Sequence, residues 1–173
     1  GELTNLTELW LGANPELAVM PESVRQLTNL TKLNLASARF TVLPESLGEL
    51  TSLTSLHLGG NELAVVPDWI RNLTNLTFLS LNVNELTEVP EWLGELSNLT
   101  ELELYQNQLS EVPEIIGELT SLTKLSLWYN QLTEVPESIG QLTNLVKLNL
   151  ASNQLRTLPE SIGRLTNLTE LDL

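Results

Sequence analysis

Residues 122–144 read LTKLSLWYNQLTEVPESIGQLTN, and this 23-residue phrase recurs along the chain. Its opening pattern, LxxLxL, begins at Leu6, Leu30, Leu53, Leu76, Leu99, Leu122, Leu145 and Leu168. The spacing is 23 residues throughout except for the first interval of 24, where Pro15 stands as an insertion. Seven full repeats therefore run from Leu6 to Asn167, with partial repeats on either side, in a single repeat domain spanning 1–173. With the phrase numbered 1 to 23, positions 1, 4, 6, 11, 14, 18 and 21 carry Leu, Ile, Val, Met or Phe in every repeat. A fixed period of this length is the signature of a solenoid, in which each unit buries its apolar positions against the next.

Within each repeat the pattern resolves into two pieces. Positions 3 to 5 alternate polar, Leu, polar, which predicts a short strand with one buried face. One strand per repeat predicts a parallel sheet with strands ~4.8 Å apart. Position 15 is Pro in all seven repeats and position 16 is acidic in all seven. That pair predicts a short helical turn, with Pro as its first residue and the acid near its positive end. Gly at position 19 in five repeats suits the end of that turn. Asn at position 9 recurs in six of seven repeats, Ala38 being the exception, and predicts a structural ladder with a weak point at Ala38.

The LxxLxLxxN phrase, the 23-residue period and the VPxxIGxL tail resemble the leucine-rich repeat family over essentially the whole chain. The tail is similar to that of Scribble-like, plant Ras-group-related, Roco-type and bacterial intracellular repeat proteins. The resemblance implies an α/β horseshoe solenoid, with a parallel sheet on the concave face and short helical turns on the convex face. It also implies protein–protein recognition through the concave sheet. Two other roles follow from the same resemblance: a regulatory or sensor segment of a larger Roco-type GTPase or kinase, and a self-assembling or engineered repeat scaffold. Neither end carries a visible cap, so self-association through the ends is a further expectation.

Composition narrows the function. The 173 residues include 8 Lys plus Arg and 22 Asp plus Glu, for a formal net charge of −14. That balance disfavours nucleic acid and anionic membrane as partners. Cysteine is absent, so no disulfide framework, thiolate metal site or cysteine nucleophile exists. No P-loop, GxGxxG, GxSxG or HExxH motif occurs, and His57 is the single histidine. The reading is a non-enzyme without cofactor or metal, binding a protein or peptide ligand. Six N-x-[ST] sequons occur, five of them generated by the repeat phrase itself, and no secretion signal is visible, so the expected location is cytoplasmic.

Removing the core positions isolates residues with no structural duty. On the concave side these are Trp10, His57, Phe78, Val83, Tyr105, Trp128 and Tyr129, with Glu101, Glu103 and Lys124 among the polar neighbours. Phe78, Tyr105, Trp128 and Tyr129 fall on three adjacent repeats and are the expected anchors, aromatics being enriched in binding hot spots. Trp10 is expected to stand apart. On the convex side position 17 carries Trp69, Trp92 and Ile115 on consecutive repeats where the other four have Ser. That stripe is a possible second interface or self-association surface. Position 13 changes from Val in repeats one to three to Glu in repeats four to six. Lys and acidic residues at the concave slots net to −2, which by itself does not favour a basic ligand there.

Overall fold

A computed structural model describes residues 2–17 and 19–173. Eight three-residue strands form one parallel sheet in chain order: β1 (Glu8–Trp10), β2 (Lys32–Asn34), β3 (Ser55–His57), β4 (Phe78–Ser80), β5 (Glu101–Glu103), β6 (Lys124–Ser126), β7 (Lys147–Asn149) and β8 (Glu170–Asp172). Equivalent positions pair without slippage, as in Leu79 with Leu102 and Leu102 with Leu125. The repeat length fixes this register, because each strand must return to the same height after 23 residues. The central Leu of β2 to β7 is buried, together with positions 1, 6 and 11, in one continuous core. The result is a solenoid with the sheet on its concave side.

The convex turns are 3-10 rather than α-helical, five residues each, from Glu22–Gln26 to Glu160–Arg164. One sequence expectation changes here. Pro precedes the turn instead of opening it: Pro44 has φ −68° and ψ 140°, and its carbonyl accepts the first i→i+3 bond, from Leu47 N–H at 3.1 Å. The acid after it lies in the first turn as expected, and at some junctions it also reaches the next repeat. Glu114 accepts from the backbone N–H of Ser138 at 3.1 Å, and Glu137 accepts from that of Ser161 at 3.2 Å.

Gly at position 19 lies inside the turn and has no left-handed backbone; Gly60 is the one positive-φ glycine among the described residues. Its role is close approach. A Cβ on Gly48 would stand 3.0 Å from Trp69 Cβ, and one on Gly117 would stand 2.7 Å from Ser138 Cβ. Position 19 of one repeat is thus the seat for position 17 of the next.

Three polar ladders join the repeats. Asn107 Nδ2 donates to the carbonyls of Leu81 and Leu104, while its Oδ1 accepts from Leu86 N–H. Asn61, Asn84, Asn130 and Asn153 repeat the double donation. Thr at position 2 donates to the carbonyl of the preceding repeat's position 2, from Thr31 through Thr123. Asn at position 23 does the same one residue earlier; Asn29, Asn75, Asn98 and Asn167 all donate in this way. These four are sequon asparagines, so the repeat itself accounts for their presence.

Ala38 is the break in the first ladder. It is buried, carries no amide, and leaves Leu17 N–H to turn back onto Asn14 O at 2.9 Å. Asn61 Oδ1 accepts from both Ala38 N–H and Phe40 N–H, and Arg39 between them adopts φ 59°.

Candidate functional site

The convex stripe is buried at Trp69 and half-buried at Trp92 and Ile115. Trp69 is 2% exposed, in the seat left by Gly48. Ile115 is half-buried over Gly94, whose missing Cβ it would otherwise strike. Trp92 is half-buried against the core although Arg71 replaces glycine at its seat; its indole Nε1 donates to Asp68 at 3.0 Å. Trp69 and Ile115 therefore pack between turns, because a glycine 21 positions earlier makes room for each. Packing accounts fully for Trp69 alone; Trp92 and Ile115 are half-buried, as Tyr105 and Trp128 are on the other face.

The concave rings fall into two groups, with Trp10 and Tyr129 exposed and His57, Phe78, Tyr105 and Trp128 half-buried. Trp10 and His57 have centroids 5.9 Å apart, and His57 and Phe78 are 4.6 Å apart. Tyr105 stacks on Trp128 at 5.1 Å and 15°, and Tyr129 meets Trp128 edge-on at 6.1 Å. Phe78 thus belongs with His57 rather than with Tyr105, and Trp10 does not stand apart. The reason is Asn34, which lies between Trp10 and His57 in the sheet. Its side chain folds down to accept from Ala36 N–H at 2.9 Å, so the larger rings meet above it.

Trp10 and Tyr129 are each 59% exposed and Val83 is 42% exposed. Val83 and Tyr129 occupy position 8, where every repeat has a left-handed backbone: φ is 54° at Val83 and 57° at Tyr129. Gly60 shows the same conformation without a side chain to strain it. A β-branched residue in that region is costly, and such strain persists where surrounding structure enforces it. Two large apolar side chains are therefore displayed on one rim at backbone positions that disfavour them.

Charges on the sheet are mostly paired. Lys32 meets Glu8 at 2.9 Å, Lys124 meets Glu101 at 2.8 Å, and Lys147 meets Glu170 at 2.6 Å. All three lysines of the sheet are thereby engaged. Glu103 and Asp172 have no ion-pair or hydrogen-bonding side-chain partner among the described residues. Burial between Trp10 and Phe78 pushes His57 below the usual histidine range, with Glu103 opposing it. Burial also lifts the Tyr105 phenol above its usual range; Glu103 adds to this and Asn82 opposes it. Among the described residues no group of three or more His, Cys, Asp or Glu is placed to hold a metal, and no helix is long and apolar enough to cross a membrane.

A parallel solenoid with one strand per repeat defines a class of repeat protein. The family model for a leucine-rich repeat region matches residues 1–108 and 91–173, and the chain belongs to the leucine-rich repeat proteins. Such domains commonly serve protein–protein recognition and are generally not enzymes. Among solved structures, a leucine-rich repeat protein of Leptospira interrogans is 36% identical with a TM-score of 0.81, over 99% of this chain and 50% of that one. A TDR receptor is 34% identical with a TM-score of 0.84, over 99% of this chain and 31% of that one. The ectodomain of the Arabidopsis thaliana membrane receptor kinase GASSHO1/SCHENGEN3, in complex with CASPARIAN STRIP INTEGRITY FACTOR 2, is 30% identical with a TM-score of 0.74, over 98% of this chain and 24% of that one. The chain thus spans half or less of the length of these structures. No curated protein matches it.

Proposed function

We propose that this chain recognises a protein or peptide segment through its concave sheet. Tyr105, Trp128 and Tyr129 form the principal contact, and Trp10, His57 and Phe78 form a second. The carrying observation is the contrast in ring burial: the convex Trp69 is absorbed, whereas Trp10 and Tyr129 stay exposed and Tyr129 does so on a strained backbone. The ladders hold these rings in place before any ligand arrives, which limits the ordering cost of association. The receptor ectodomain similar to this chain was solved in complex with CASPARIAN STRIP INTEGRITY FACTOR 2.

The test is selection of binders from a random peptide library on the immobilised chain. Selected peptides lose at least about tenfold in affinity to a Tyr105→Ser, Trp128→Ser variant, in line with the weight aromatics carry in interfaces. They bind a Glu134→Gln variant, altered on the flank, as well as the parent. Peptides indifferent to the concave substitutions, or no selectable peptide at all, overturn the assignment.

A second reading places the chain as the sensing part of a longer protein, as the similar ectodomain is part of a membrane receptor kinase. Sequencing the complete transcript decides it; an open reading frame with no further domain sinks it. A cytoplasmic setting belongs to the proposal too, since four sequon amides are taken up in ladder bonds. Glycans found at these asparagines by mass spectrometry of the native protein would refute that part.

A further inference from the structure

The ligand's chemistry is written on the C-terminal half of the concave face. Strands β5 to β8 enclose a hollow of about 180 Å³. Its central column is Glu103, Ser126, Asn149 and Asp172, four residues in register across adjacent strands. The parallel column holds Glu101, Lys124, Lys147 and Glu170, which neutralise one another in two ion pairs. What remains unpaired in the hollow is acidic at both ends, with two small polar residues between. The stacked Tyr105 and Trp128 continue from this column, Tyr105 lying two residues beyond Glu103. A carboxylate beside an electron-rich ring pair complements one kind of group, a cation with a flat or apolar body.

Resting on the recognition role above, we propose that the concave face takes a partner segment carrying an arginine, its guanidinium in this hollow against Glu103 and its apolar neighbour on the Tyr105–Trp128 stack. An anionic segment is excluded by the same geometry. Every lysine on the sheet already has a carboxylate, so none is free to receive it. Arginine is favoured over lysine because its planar head both stacks and forks onto a carboxylate. The concave sum of −2 is located by the pairing: with the three ion pairs set aside, it rests on Glu103 and Asp172. Asp172 at the far end of the column supplies a second, weaker attraction.

The experiment uses fluorescein-labelled peptides from the library selection and the full chain. The selected sequences are enriched in arginine. Replacing that arginine by citrulline, its neutral isostere, weakens binding about tenfold, the effect of losing a charge-assisted bond. Glu103→Gln produces a similar loss for the arginine peptide and none for the citrulline peptide. Circular dichroism establishes that the variant folds. Raising the salt concentration weakens the arginine peptide more than the citrulline one. Selected peptides that need Trp128 but carry no cation, or whose affinity is unmoved by Glu103→Gln or by citrulline, overturn this inference while leaving concave recognition standing. Peptides that need neither Trp128 nor Glu103 overturn both.

Discussion

Trp69 and Trp10 present the same side chain on opposite faces of one solenoid, with opposite outcomes. Trp69 stands where the preceding repeat offers Gly48, and sinks until 2% of it is exposed. Trp10 stands on the sheet, where the strand spacing is fixed by hydrogen bonds, and 59% of it stays exposed. On the convex face the turns touch through side chains, so a small residue can make room for a large one. On the concave face the strand hydrogen bonds set the spacing, and larger rings meet only above a side chain that folds down, as Asn34 does. Trp69 is therefore accounted for by packing, whereas the exposure of Trp10 is what the proposed concave contact draws on.

The largest effect that sharpens this contrast is on stability. Trp69→Ala lowers unfolding free energy by about 3–5 kcal/mol, the range for deleting a buried aromatic, whereas Tyr129→Ala changes it by under about 1 kcal/mol. Denaturant titration of both variants checks the ranking, and equal losses would break it. Next come the seats themselves. Gly140→Ala drives a methyl against the backbone of Ser161, while Gly163→Ala meets nothing within 4 Å. The first costs about 1–3 kcal/mol as overpacking; thermal melts should leave the second unshifted.

Val83→Gly is expected to act in two directions at once. Release of the strained φ of 54° raises stability by about 1 kcal/mol. The same change removes an exposed apolar contact beside Tyr105, so affinity for selected peptides falls. A variant that loses stability would show the strain to be illusory.

The smallest effect concerns His57. Its folded pKa is depressed by burial, so the unfolded state binds the proton more readily. Stability from the neutral ring is full above the unfolded value of 6.5 and is lost as pH falls through the lower folded value. The melting temperature of the parent should therefore drop more between pH 7 and 5 than that of His57→Gln, and NMR titration of the ring should give a midpoint below 6.5. A raised midpoint would contradict the enclosure by Trp10 and Phe78.

The sequence made the repeat, its strands, its core positions and the Asn ladder readable, because each is a property of one 23-residue phrase. What it hid lies between phrases. The partnership of Gly48 with Trp69 needs positions 19 and 17 of neighbouring repeats to be compared, although the signal was present: Gly also precedes Ile115, Ser138 and Ser161 in the same relation. The grouping of Trp10 with His57 was hidden more deeply. It depends on Asn34 folding down between them, and a side chain's direction is not written in its identity. The proposed preference for a cation rests on pairing, which a count of charges does not locate: the concave excess sits on Glu103 and Asp172.

The missing amide at Ala38 has a mechanical meaning. Later junctions between repeats are riveted by Asn at position 9, which donates to two carbonyls and accepts from at least one N–H; between the first and second repeats those rivets are absent. Under load applied to the N-terminus, the first repeat should peel away as a flap at a force too small to open the junctions beyond Asn61. A force–extension trace in which Ala38→Asn abolishes that early step would identify residue 38 as the seam along which the solenoid begins to unwind.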